Sequence, residues 1–160
     1  VLKTNKNDAR DPFIDMLIKK NPNIIFDIYG YKDRQPIWSE DFYQTISQAK
    51  MGLNLSRTNS VKYYSSNRIS SLIGNGLMTF VDRKTQLNDF FDDDEVIFYN
   101  NIDDLSKKIN YFKNHNELRK KIARKGKSKY FHYFDNKIVS EHILNVIFGL
   151  GDKRLKWMEK

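Results

Sequence analysis

Two periods alternate along this chain. Apolar residues recur at helical spacing in Phe13, Ile14, Leu17 and Ile18, after an Asp11-Pro12 pair that suits a cap and a first helical position. The helix this predicts runs to about Lys20, where Asn21-Pro22-Asn23 breaks it. A continuous apolar run follows, IIFDIYG from Ile24 to Gly30, and reads as a buried strand. Ser39 then caps a second predicted helix bearing Phe42 and Ile46, and MGLNLS from Met51 to Ser56 predicts the next strand. Ser65 or Ser66 caps a helix through Ile69, Leu72 and Ile73 to Gly74, with Asn75-Gly76 as its stop. LMTFVD from Leu77 and VIFYN from Val96 predict two more strands. The remainder is helical. Ile102, Leu105, Ile109 and Phe112 form one stripe, a helix starts at Asn116, and another from Asp135 carries Ile138, Val139, Ile143, Val146 and Ile147. Short apolar strands separated by helices predict an α/β fold, a parallel sheet with helices on both faces.

Composition narrows the setting. At 160 residues, 39% of them hydrophobic, the chain is long enough for one domain with a real core. No apolar run reaches membrane-spanning length and no signal-peptide pattern opens the chain, so the expected location is the cytoplasm, free or peripheral to a membrane. Without cysteine there are no disulfides, thiolate metal sites or thiol nucleophiles. The net charge of +8 is concentrated: residues 106–130 hold ten Lys or Arg against the single acid Glu117. Tyr, Phe and His interleave with these cations, a composition that suits single-stranded nucleic acid. Yet Ile109, Phe112, Leu118 and Ile122 fall at core-facing spacing, so solvated helix faces rank first, an anionic membrane surface second and nucleic acid last.

The chemistry centres on KYYSSNRISSLIGNG, Lys62 to Gly76. If MGLNLS is a strand of a parallel sheet, the helix after it starts at the carboxyl edge, where open α/β folds bind ligands. Helix starts favour acids, but this one carries Arg68, with Lys62 just upstream. Cations on an electropositive helix end suit a bound anion such as a phosphate or diphosphate, and the alternative is an arginine turned to solvent or paired with an acid. Other chemistry is weaker. Asp92 and Asp94 in FFDDDEVIFY have the look of an Asp-x-Asp metal motif, but they precede a strand and so belong at the opposite, amino edge as a solvated acidic turn. His115, His132 and His142 lack metal-ligand spacing, and no metal site or nucleophile triad is expected.

NLS at a strand end, KYYSSNRISSLIGNGLMTFVD, FFDDDEVIFYNNIDDLSKKINYF and LRKKIARKGKSKYFHYF together resemble the C-terminal, donor-binding half of a GT-B type glycosyltransferase. The likeness is to the bacterial group 1 transferases that include spore-maturation-type proteins. It runs from the Arg10 region to about Ile147 and implies a Rossmann-like sugar-nucleotide-binding domain over residues 1–150, one lobe of a GT-B fold. The resemblance implies that the serine-rich turn, Ser65, Ser66, Asn67 and Arg68 with Lys62, meets the donor's diphosphate. Asn54 and Ser56 would line the same cleft, and Gly30 with Tyr31 would be the glycine turn that admits the nucleotide. Many relatives place a glutamate three residues after that arginine to bind ribose. Here that position is Ser71, which leaves the nucleotide open. The implied activity is hexosyl transfer from a nucleoside-diphosphate sugar, with no cofactor beyond that donor substrate. The implied partners are the sugar nucleotide and an N-terminal lobe, and the tail at 151–160 either docks Leu155, Trp157 and Met158 on that lobe or is a frayed terminus with a few exposed apolar residues. Val1–Lys3 is short for a central first strand, so a longer natural protein is expected, with this chain alone binding but not turning over. A non-catalytic basic module for nucleic acid or anionic surfaces is the alternative from another class.

Overall fold

The computed structural model describes residues 10–58, 61–64 and 66–150. The element order is α1 (Arg10–Lys20), α2 (Ser39–Gln48), β1 (Met51–Asn54), α3 (Asn67–Gly74), β2 (Met78–Asp82), β3 (Ile97–Tyr99), α4 (Ile102–Lys113), α5 (Asn116–Phe134) and α6 (Asn136–Phe148). Two short 3-10 turns, Arg83–Thr85 and Leu87–Asp89, follow β2. The strands lie in the order β1-β2-β3, parallel throughout, with Asn54 beside Val81 and Asp82 beside Tyr99.

Strand alternation sorts the core into two layers. Met78, Phe80, Ile97 and Tyr99 face Leu17 of α1, Leu105, Ile109 and Phe112 of α4, and Ile122 and Ala123 of α5. On the other side Val81 and Phe98 face Ile69 and Ile73 of α3, with Tyr130 and Phe134 from the far end of α5. Helices therefore cover both faces, and the domain is a Rossmann-like α/β unit. The long α5 reaches both layers by crossing close under the turn before β3. At Gly126 a Cβ would come within 2.3 Å of the Glu95 carbonyl oxygen, so only glycine permits the crossing. At Gly52 the constraint is softer: a Cβ would meet the Leu72 side chain at 2.9 Å, and that side chain would have to shift.

The run Ile24–Gly30 departs from the expected buried strand. Ile24 and Phe26 pack against the α1–α4 layer while Ile25 is 92% exposed, and the segment joins no ladder among the described residues. An apolar run with one side packed and the other in solvent is extended without being a sheet strand, a distinction that hydropathy does not make. Two helix starts also shift: α1 begins at Arg10, two residues before the expected Pro12, and Trp38 rather than Ser39 is the N-cap of α2, without a side-chain cap bond. The α6 stripe does not join the core. Ile143, Leu144, Val146, Ile147 and Phe148 are all at least half exposed. Among the described residues no helix is long and apolar enough to cross a membrane. Val1–Lys3 and the 151–160 tail lie outside the described residues.

Candidate functional site

The parallel sheet brings the carboxyl end of β1 and the start of α3 together. Gly52 faces Leu72 of α3, so by alternation Asn54 faces the same side, toward the N-terminal turn of that helix. Asn54 is fully buried and Ser56 nearly so. Ser66 is the N-cap of α3, with extended backbone, as the sequence predicts, yet its hydroxyl makes no cap bond. Among the described residues, Asn54 Oδ1 and Nδ2, Ser56 Oγ and Ser66 Oγ are shielded from solvent and have no hydrogen-bond partner. The other buried polar side chains are satisfied. Asn21 donates to the Leu17 carbonyl at 2.7 Å and accepts from Asn110 at 2.7 Å. Thr79 and Thr85 donate to backbone carbonyls, and Arg119 donates to the Phe112 carbonyl at 2.6 Å. An unmade hydrogen bond of a buried group costs about 1–3 kcal/mol, so these four atoms call for partners from outside the chain, ordered water or a ligand.

Arg68 reaches the same chain end, between Asn54 and Ser56. Its Nη1 donates to the Leu55 carbonyl at 2.7 Å, which ties the guanidinium to the end of β1 instead of letting it swing into solvent. Burial pushes its pKa down, and the charge of Arg10, at the first position of α1, pushes the same way. Two arginines from two helix starts are thus near enough for their charges to act on each other. Arg10 was not singled out from the sequence. Its only sequence signal is a cation at a helix start, the same signal that drew attention to Arg68.

The remaining expected site residues divide. Asn67 opens α3, and its carbonyl accepts from the hydroxyls of Ser70 at 2.6 Å and Ser71 at 2.9 Å. Ser71, at the position where the resembled family carries glutamate, is therefore already engaged within its own helix. Lys62 lies 3.5 Å from Asp89 and over the Tyr63 ring, and the Tyr63 hydroxyl and Asp89 hold its pKa above the usual lysine value. Its charge is thereby balanced inside the loop. Gly30 takes a left-handed φ of 69° and its N–H donates to the Arg34 carbonyl. The Tyr31 hydroxyl donates to Asp15 of α1, so the partners of this glycine turn belong to α1 and to the turn itself. Ser65 lies outside the described residues.

The acidic turn behaves as its position before β3 predicts. Asp93 pairs with Arg83 at 2.7 Å, Asp94 with Lys125, and Glu95 with Lys129 at 3.7 Å while accepting from the Asp92 N–H. Lys125 holds the Asp94 carboxyl below the usual range. His115 is stacked on Tyr111 within 4.0 Å between ring centroids. Among the described residues no group of three His, Cys, Asp or Glu side chains is placed to hold a metal ion.

A family model described as glycosyl transferase-like matches residues 10–145, most of the chain. No curated protein and no solved structure matches.

Proposed function

Given that the chain belongs to the glycosyl transferase-like family, we propose that its carboxyl-edge cluster receives the diphosphate of a nucleoside-diphosphate sugar. The observation that carries this reading is the set of orphaned polar atoms on Asn54, Ser56 and Ser66 together with a partly buried arginine tied to the Leu55 carbonyl. Arg68 and Arg10 supply positive charge where α3 already presents its electropositive end. The Ser66 hydroxyl, not spent on capping, donates to a phosphate oxygen, and the Asn54 amide offers both a donor and an acceptor.

In glycosyl transfer the bond from the anomeric carbon to the diphosphate breaks, and negative charge grows on the departing oxygen. Fixed cations and N–H donors around that oxygen stabilise the transition state more than the ground state. In this reading Arg68 and Arg10 do that work, the chain is the donor-binding lobe of a GT-B type hexosyltransferase, and the acceptor binds on an N-terminal lobe. Ser71 offers no carboxylate for a ribose, so the base and sugar are recognised by other groups.

Titration of the protein with nucleoside diphosphates and the matching monophosphates tests the proposal. Diphosphates should bind at least about tenfold more tightly, since they reach the paired arginines with the second phosphate. Equal binding of the two series, or none, would contradict it.

A further inference from the structure

The basic helix α5 carries two stripes that differ in how their charge is met. Lys125 and Lys129 point to the turn before β3, where Asp94 and Glu95 neutralise them. The second stripe, Lys120, Arg124 and Lys127, lines a cleft of about 290 Å³ with Lys50 and Arg119. Its apolar floor includes Leu77 and Met78 at the start of β2, which sets it at the amino edge of the sheet, opposite Arg68. Five of the lining side chains are cationic and none is acidic.

Internal structure accounts for only part of this charge. Arg119 is buried and closes the end of α4, donating to the carbonyls of Phe112 and Lys113 and to Asn116 Oδ1. Lys120 pairs with Glu117 at 3.1 Å, a neighbour outside the lining. The carboxyl ends of α2 and α3 lie alongside, at Ala49-Lys50 and Gly76, and each offsets about half a charge. Lys50, Arg124 and Lys127 still exceed what those dipoles balance. A helix face that only kept the protein soluble would mix both signs, as the stripe of Lys125 and Lys129 does with its acids.

We propose that this amino-edge cleft is a second anion site, one that takes a phosphate group, and that it is separate from the donor cluster. Arg119 forms its fixed wall, and Lys50, Arg124 and Lys127 close on the phosphate oxygens. The phosphate can belong to a lipid headgroup or to a soluble phosphate compound, and both present the same chemistry to the cleft. The proposal does not rest on the donor reading, because the two sites use different residues on opposite edges.

The test uses Arg124→Ala/Lys127→Ala, both exposed positions whose loss leaves the core intact, with Lys125→Ala as the control on the paired stripe. Binding is measured by calorimetry with inorganic pyrophosphate and by cosedimentation with phosphatidylcholine vesicles with and without phosphatidylglycerol. An Arg68→Ala background weakens pyrophosphate binding at the other edge, so that it contributes less to the signal. In that background the double variant should bind one probe roughly thirtyfold more weakly, with Lys125→Ala close to the parent and Arg124→Lys/Lys127→Arg restoring binding. Loss with vesicles alone identifies a lipid headgroup, and loss with pyrophosphate identifies a soluble phosphate. Unchanged binding of both probes in the double variant, no binding of either by the parent, or equal weakening by Lys125→Ala would overturn the proposal.

Discussion

Helices α3 and α4 each follow a parallel strand, α4 at once and α3 after a loop, at the same edge of the same sheet, and they treat that position in opposite ways. At α4, the Asn101 side chain accepts from the N–H groups of Asp103 and Asp104, each at 3.0 Å. Asp104 reaches back to the Asn100 N–H at 2.9 Å, and two acids occupy the first turn. This start is sealed by its own residues. At α3 the cap hydroxyl is unused, no acid lies in the first turn, and Arg68 adds to the positive end. Local sequence could have closed α3 as it closes α4. That it does not leaves a helix start with unspent donors, suited to an anion from outside.

Gly126→Val should have the largest effect on stability, because it disturbs the frame that both starts share. The new side chain meets the Glu95 carbonyl, forcing α5 off the turn that leads into β3 and α4. Overpacking against backbone should cost about 3 kcal/mol, read from the urea unfolding midpoint. A cost under about 1 kcal/mol would mean that α5 does not brace that turn.

Smaller changes separate the two starts. Asn101→Ala should cost about 1 kcal/mol of stability through the lost cap, whereas Ser66→Ala should cost no more than a few tenths. Similar losses at both positions would mean that Ser66 caps its helix after all. Supplying the missing acid sharpens the contrast. Asn67→Asp should stabilise the fold by about 0.3–1 kcal/mol through the helix dipole while weakening nucleoside diphosphate binding. Stability and binding that rise together would break the link between the open helix start and the anion.

The smallest effect is in acid. Lys20 holds the Asp103 carboxyl below its usual range, and the Asn100 N–H and Lys108 do the same for Asp104 against the opposing pull of burial. A depressed folded-state pKa stabilises the fold above the unfolded value and is lost as pH falls through the folded value. The α4 start should therefore weaken below about pH 4. Asp103→Asn should flatten that part of the urea midpoint against pH, and an unchanged profile would remove Asp103 from the account.

What the sequence made legible follows from how local each feature is. The strand end at Asn54 and Ser56 and the helix start at Ser66 and Arg68 are close in the chain, and a strand–loop–helix pattern in a parallel sheet assigns both to one edge. Arg10 comes near Arg68 only through the packing of α1, so the cation at its helix start does not by itself point to this edge. The orphaned state of Asn54 is equally invisible, because asparagine at a strand end is written the same way whether satisfied or not. The segment Ile24–Gly30 misleads for a related reason: hydropathy reports that a side chain packs, not that a backbone pairs. In α6 the apolar stripe was readable, but not that it would stay off this core.

The central claim is that Arg68 holds a diphosphate at an edge left open for it. Calorimetric titration of the parent and Arg68→Ala with a nucleoside diphosphate tests it most directly, with thermal unfolding of both in parallel. The account predicts a loss of about 1.5–3 kcal/mol in binding, the worth of a charge-assisted hydrogen bond, with little change in stability. Equal affinity in the two proteins would contradict it.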